Sequence, residues 1–367
     1  MKISSIQVFE YELQYTHGDY VMSHGRSSNK QTSLVVHVQT DEGVEGWGET
    51  CPHGGTYGPA FLGGERAAIV LLAEEVIGLD PRNLGALNRV MDDLLLGGAS
   101  AKSAIDVACW DILGKSAGLP IVELLGGRMQ EAIRILVPVP IGSPGSMAEF
   151  VAREGALGFN LFQIKVGDAP MEDVARVRAV LEVVEPETLV IIDANGGWNL
   201  QSALIAVKEL NNSPIFLEQP CKTMVDCAEL RRHTGLPMVL DECINSLTDL
   251  MIAKFSVGAD GVNIKPGRVG GLSKAKVLRD AAQGLGMSVT VDETWGGSLA
   301  TSHIAHLAAS TEADRLLAAT FFADFTEPHI TSGPFSVDGF GKAPTGHGLG
   351  IEVNDAMLGN PVFELNG

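Results

Sequence analysis

Basic residues are scarce in this sequence: 26 Lys and Arg stand against 45 Asp and Glu, a formal charge of −19. So acidic a chain would repel nucleic-acid phosphates and anionic lipid headgroups, which excludes both as partners, and it suits a bound cation. Long apolar runs are also missing. None approaches the roughly 20 residues of a membrane span, and the opening "MKISSIQVFEYELQ" alternates like a strand without the continuous apolar core of a signal peptide. The five cysteines (Cys51, Cys109, Cys221, Cys227, Cys243) are odd in number and form no C-x-x-C pair. That usage fits a reducing cytoplasm in which the thiols fill core space.

What is there is a well-packed chain: 367 residues, 45% hydrophobic and only 19% charged, enough for one large domain or two moderate ones. Residues 1–50 read as antiparallel strands, "ISSIQVFEYEL" and "TSLVVHVQTDEGVEGWGE", with "DEG" as the hairpin turn and the polar stretch 14–31 as a mobile loop. From about 64 to 125 the periodicity is helical, ending on a glycine cap, so residues 1–128 form an α+β unit. After "LLGGRM" short apolar runs alternate with helical segments over 129–330: "RILVPVPIG", "LFQIKVG", "TLVIIDANG", "PIFLEQP", "PMVLDE", "GVNIKPG", "SVTVDE" and "RLLAATFF". Uniformly apolar strands are buried on both faces, as in a parallel sheet, and eight of them with helices between suggest a closed α/β barrel. A doubly wound open sheet is the alternative, but no G-x-G-x-x-G follows the first strand. The Gly- and Pro-rich tail 331–367 is expected to return to the first unit.

The polar residues that end these strands are Lys165, Asp193, Glu218, Asp241, Lys265 and Asp292, at intervals of 28, 25, 23, 24 and 27 residues. Each interval is one βα unit, so all six belong at the carboxyl-end rim, where barrels build their sites. An Asp at a βα turn often caps the next helix. Three carboxylates on consecutive strands, however, repel one another unless a cation sits between them, and a set without His or Cys favours Mg²⁺, one per subunit. Lys165 and Lys265 flank that arc and would face each other across the mouth. Burial and the cation's charge can tune such amines toward neutrality and make them general bases.

The set "QIKVG", "IIDANGGW", "FLEQP", "VLDE" and "VNIKPGRVGG", with the helical "AKSAIDVACWDILGKSAGLPIVELLGG" and the tail "GHGLGIEV", resembles the enolase superfamily, in its muconate-lactonizing subgroup. The resemblance covers essentially the whole chain. It implies a modified TIM barrel, (β/α)7β, under an α+β capping domain formed by the N-terminal third and the C-terminal tail. It also implies Mg²⁺ on Asp193, Glu218 and Asp241, and Lys165 and Lys265 as the acid/base pair that abstracts a proton α to a carboxylate. One departure is Gln163, where the family commonly has the first lysine of K-x-K; a neutral Gln cannot depress the pKa of Lys165. Gln163 and Asn195 remain substrate-binding candidates. So do Asp292, Glu293, Thr294 and Trp295 on the seventh strand, for an ammonium group and its ring, and Tyr57 and His53 in the capping loop, with Tyr20 closing the pocket. The cassette is similar to that of members acting on proline-type imino acids. Loss of a β-hydroxyl from a hydroxylated proline is the implied reaction, and 2-epimerisation of a betaine or other N-substituted amino acid is the alternative. For that elimination Lys165 is assigned as base and Lys265 as acid, and the reverse stays open. Barrels of this kind often assemble as homo-oligomers.

Overall fold

Alternation of apolar and polar residues builds the first sheet. In the computed structural model, which describes all 367 residues, β1 (Ile3–Tyr15) pairs antiparallel with β2 (Lys30–Thr40), and β2 with β3 (Glu45–Thr50). The turn at Asp41–Gly43 carries Gly43 at φ +78°, a backbone region glycine enters at no steric cost. Ile6, Val8, Leu34 and Val36 bury one face of this sheet against α1 (Leu62–Val76), α2 (Leu84–Leu94) and α3 (Ala99–Ala117). At roughly 1.5–3 kcal/mol per buried aliphatic side chain, that face holds the layer together. The "EGWGE" of β3 lets α3 come unusually close: a Cβ on Gly46 or Gly48 would sit 2.1 or 2.0 Å from a carbonyl oxygen of α3.

The stretch between β1 and β2, expected to be a loop, contains a small hairpin, Tyr20–Val21 against Ser27–Ser28, and it buries Tyr20 and Met22. These apolar side chains have a surface to cover, namely the mouth of the second layer.

That layer is a ring of eight parallel strands in chain order: β4 (Val137–Val139), β5 (Leu161–Lys165), β6 (Leu189–Asp193), β7 (Ile215–Glu218), β8 (Met238–Leu240), β9 (Gly261–Ile264), β10 (Ser288–Val291) and β11 (Leu316–Ala319). The Leu136 amide donates to the Ala319 carbonyl at 2.8 Å and closes the ring. Every residue of β5 is buried, as the two-sided apolar pattern requires. Helices follow the first seven strands, several started by side-chain caps at Ser143, Asn199, Thr223 and Ser246. Only a single turn follows the eighth. The architecture is the α/β one expected, a parallel barrel under an α+β cap. The chain then returns: β12 (Phe363–Asn366) pairs antiparallel with β1, from Ser5–Asn366 to Val8–Phe363.

One buried carboxylate of the cap reaches the start of a barrel helix. Helix α4 (Ser298–Ala309) starts on Gly297 and has no capping side chain of its own. Glu49 of β3 supplies one from the cap, accepting from the Gly297 amide at 3.0 Å and the Ala300 amide at 2.7 Å. A carboxylate against the positive end of a helix is favourable both as hydrogen-bond acceptor and as charge. Tyr11 and Ser33 hold it from behind, at 2.7 and 2.6 Å.

Candidate active site

The six strand-end residues stand on one rim. Lys165, Asp193 and Glu218 are the last residues of β5, β6 and β7, level with one another in the ladder; Asp241, Lys265 and Asp292 directly follow β8, β9 and β10. All six are buried. Lys165 Nζ donates to Asp193 Oδ2 at 2.5 Å. Lys265 Nζ lies 3.0 Å from Asp241 Oδ2, 3.2 Å from Asp292 Oδ2 and 2.7 Å from the Tyr57 hydroxyl. Gln163 and Asn263 donate to the two oxygens of Glu218 at 2.7 and 2.9 Å, so Gln163 holds a carboxylate rather than a charge.

Electrostatics follow from this crowding. Burial, then the neighbouring Asp193 and Asp241, push Glu218 well above the carboxylate range. Glu242 rises to about 7 by burial and the same two neighbours. Burial would also raise Asp241, but Arg268, 2.7 Å away, and Lys265 outweigh it and hold the carboxyl at about 2. Burial works against both ammonium groups, yet the pull of Asp193 on Lys165 and of Asp241 on Lys265 prevails and raises both lysines above their ordinary value. The lysines were expected to be tuned toward neutrality. With only protein groups around them the sign is opposite, because the same carboxylates that would receive a cation are free to bind the amines.

The residues fit a hard cation by the chemistry of the donors. Six acidic side chains (Asp193, Glu218, Asp241, Glu242, Asp292, Glu293) share this rim with three basic ones (Lys165, Lys265, Arg268), and oxygens of Asn195, Glu242 and Asp292 are buried without a hydrogen-bond partner. In the conformation seen, the carboxylates are turned to separate protein donors and do not form a converged cation site.

Above the arc lies a chamber with only about 30 Å³ of free space, room for little more than a water or two. Gln163, Lys165, Lys265, His53, Tyr57 and Asp292–Trp295 line it, together with Tyr20. Trp295 is its centre: His53 stacks on it at 4.9 Å, and Tyr20, Tyr15 and Phe322 pack around it at 5.3 to 5.7 Å. Burial, and then the charges of Lys165 and Lys265, depress His53 to about 3, so its ring is neutral.

The comparisons with known proteins agree with this geometry. Residues 5–126 match the mandelate racemase/muconate lactonizing enzyme N-terminal domain, and residues 146–357 match the enolase C-terminal domain-like family. The chain belongs to the enolase superfamily. It is 39% identical over 363 residues to cis-3-hydroxy-L-proline dehydratase of Roseibium aggregatum, covering 99% of both chains. It is 32% identical to the N-succinyl-L-Arg/Lys racemase of Bacillus cereus, over 98% of this chain and 97% of that one. A crystal structure of an enolase-superfamily member from Roseovarius nubinhibens ISM complexed with magnesium superposes with a TM-score of 0.94, at 35% identity and full coverage of both chains.

Three of the expected substrate contacts within this superfamily frame are otherwise engaged. Asn195 does not line the chamber; its amide donates to Asp193 Oδ2 and Glu242 Oε1, at 2.8 and 2.9 Å. Glu293 reaches the chamber wall, but its carboxylate is taken, accepting from the Gly267 amide at 2.7 Å and contacting His303 Nε2 at 3.0 Å. The Thr294 hydroxyl donates to the Cys51 carbonyl at 2.9 Å. Unforeseen were Tyr15, Met22, Thr320, Phe322 and Phe325 in the wall, and Arg268 against Asp241. Arg268 had a signal, since it sits within "KPGRVGG". The aromatic residues did not, because nothing in their local sequence separates them from core.

Proposed function

We propose that this enzyme removes the α-proton of cis-3-hydroxy-L-proline and expels the β-hydroxyl as water, the product tautomerising to Δ1-pyrroline-2-carboxylate. The observation that carries this reading is the unequal pairing of two lysines on opposite sides of one carboxylate arc. Asp193, Glu218 and Asp241 would hold Mg²⁺, which supplies positive charge where the substrate carboxylate gathers electron density as its α-proton leaves. Asp193 is both the sole hydrogen-bonded acceptor of Lys165 and one of those three donors, so Lys165 is the amine that can be freed to act as base. Lys265 keeps Asp292 and Tyr57 whatever happens at Asp241, so it stays an ammonium and serves as the acid. In the cis isomer the C2 hydrogen lies opposite the hydroxyl. Elimination is then anti: Lys165 takes the proton from one face, and Lys265 delivers one to the departing hydroxyl on the other.

A relative at 39% identity, aligned over 99% of both chains, bears the name of this dehydratase. Two-lysine geometry also serves 1,1-proton transfer, so 2-epimerisation of a hydroxyproline betaine or another N-substituted amino acid is the second reading, favoured by the aromatic wall around Trp295. A proton NMR time course with cis-3-hydroxy-L-proline and Mg²⁺ in D2O tests both. Loss of the C2 and C3 signals with growth of a pyrroline carboxylate supports the dehydratase; deuterium entering C2 with the hydroxyl retained supports the epimerase.

A further inference from the structure

Strands β10 and β11 end side by side. Val291 pairs with Ala319 in the parallel ladder, and the Thr320 amide donates to the Val291 carbonyl at 3.2 Å. Asp292 and Thr320, the next residues, therefore stand level on the rim. Both are buried, 6% and 2% exposed, and both line the chamber. Each also leaves one oxygen without a hydrogen-bond partner: Asp292 Oδ1, its other oxygen being shared with Lys265, and Thr320 Oγ1. In the order of the ring β11 lies four strands from β7, so Thr320 stands across the barrel from Glu218, with Asp292 beside it. A substrate with its carboxylate at the arc and its α-carbon between the lysines points its nitrogen at them.

We propose that Asp292 and Thr320 form a two-acceptor clamp for a secondary ammonium and thereby select a free imino acid over its N-methylated forms; this rests on the reading of the chamber as an imino-acid site. A ring nitrogen of this kind carries two N–H bonds that diverge tetrahedrally. One meets the carboxylate oxygen in a charge-assisted bond and the other meets the hydroxyl. N-methylation removes one donor, and a quaternary nitrogen has none, leaving two buried oxygens unpaired. The aromatic wall attracts any ammonium; the clamp separates one ammonium from another.

The test is binding, read by titration calorimetry on the Mg²⁺-loaded protein with L-proline, N-methyl-L-proline and N,N-dimethyl-L-proline. In the wild type each methyl is expected to weaken binding about 10-fold or more. Thr320→Val should weaken L-proline about 10-fold and leave the dimethyl compound unchanged. Thr320→Ser, which keeps the hydroxyl, should restore the preference. The clamp is overturned if the dimethyl compound binds as tightly as L-proline, if Thr320→Val weakens both alike, or if none of the three binds. Failure of the dehydratase reading alone looks different: L-proline is still preferred, while cis-3-hydroxy-L-proline keeps its hydroxyl.

Discussion

Lys165 and Lys265 occupy matching stations on either side of the same arc, yet their surroundings differ. Lys165 has one acceptor, Asp193, and the face of Tyr20 at 5.9 Å; Lys265 has Asp241, Asp292 and Tyr57, with Arg268 beyond. An amine with a single acceptor changes its protonation when that acceptor is drawn elsewhere. One with three does not. On the proposed reading it is this asymmetry, more than the identity of the two residues, that separates base from acid.

The largest effect should come from removing the amines one at a time. Lys165→Met is expected to lower both C2 deuterium exchange and water loss by 10³-fold or more, and Lys265→Met to lower water loss equally while C2 exchange survives at a reduced rate. Exchange persisting in Lys165→Met but absent in Lys265→Met would reverse the assignment. Next come the shared carboxylates. Asp193→Asn and Glu218→Gln should abolish Mg²⁺-dependent thermal stabilisation together with turnover; a melting temperature that still rises with Mg²⁺ in both variants would refute the proposed donor set. Tyr57→Phe takes one partner from Lys265 and is expected to cost about 10-fold in kcat, whereas an equal loss of C2 exchange would place the tyrosine on the base side.

The smallest effect is a titration. His53 feels both amines, Lys165 the more strongly, and each disfavours the imidazolium. Removing a positive charge raises the pKa, so the ring should titrate above its value of about 3 in either lysine variant, and higher in Lys165→Met, by proton NMR of the His53 ring. A larger rise in Lys265→Met would contradict the arrangement of charge described here.

Much of this was legible in the sequence. All eight barrel strands lie within the apolar runs that announced them, because a strand buried on both faces admits a polar residue only at its end or where a partner satisfies it, as Glu218 does for Gln163 and Asn263. Lys165, Asp193, Glu218, Asp241, Lys265 and Asp292 stood out for that reason. Thr320 ends its strand in the same way, but a threonine inside "RLLAATFF" is ordinary strand composition, and only its unpartnered hydroxyl marks it. Position was readable where side-chain direction was not. Glu293 follows Asp292 and so turns to the other side, where His303 and the Gly267 amide receive it. Tyr15 and Phe322 are about 300 residues apart in the chain, and no local pattern links them to Trp295. The protonation of Lys165 and Lys265 follows from which carboxylates pair with them, which composition does not record.

Glu49 has a consequence for how the two layers relate. Gly297 and Ala300, whose amides it holds, lie two and five residues beyond Trp295, the end of the segment Asp292–Trp295 that walls the chamber. The cap therefore takes part in finishing the barrel's seventh loop, alongside Thr326, whose hydroxyl donates to the Gly296 carbonyl at 3.1 Å. A barrel produced without the cap would carry every strand-end lysine and carboxylate and start α4 on two unanswered amides just past Trp295. The wall of the chamber belongs to neither layer alone and is completed at the seam between them.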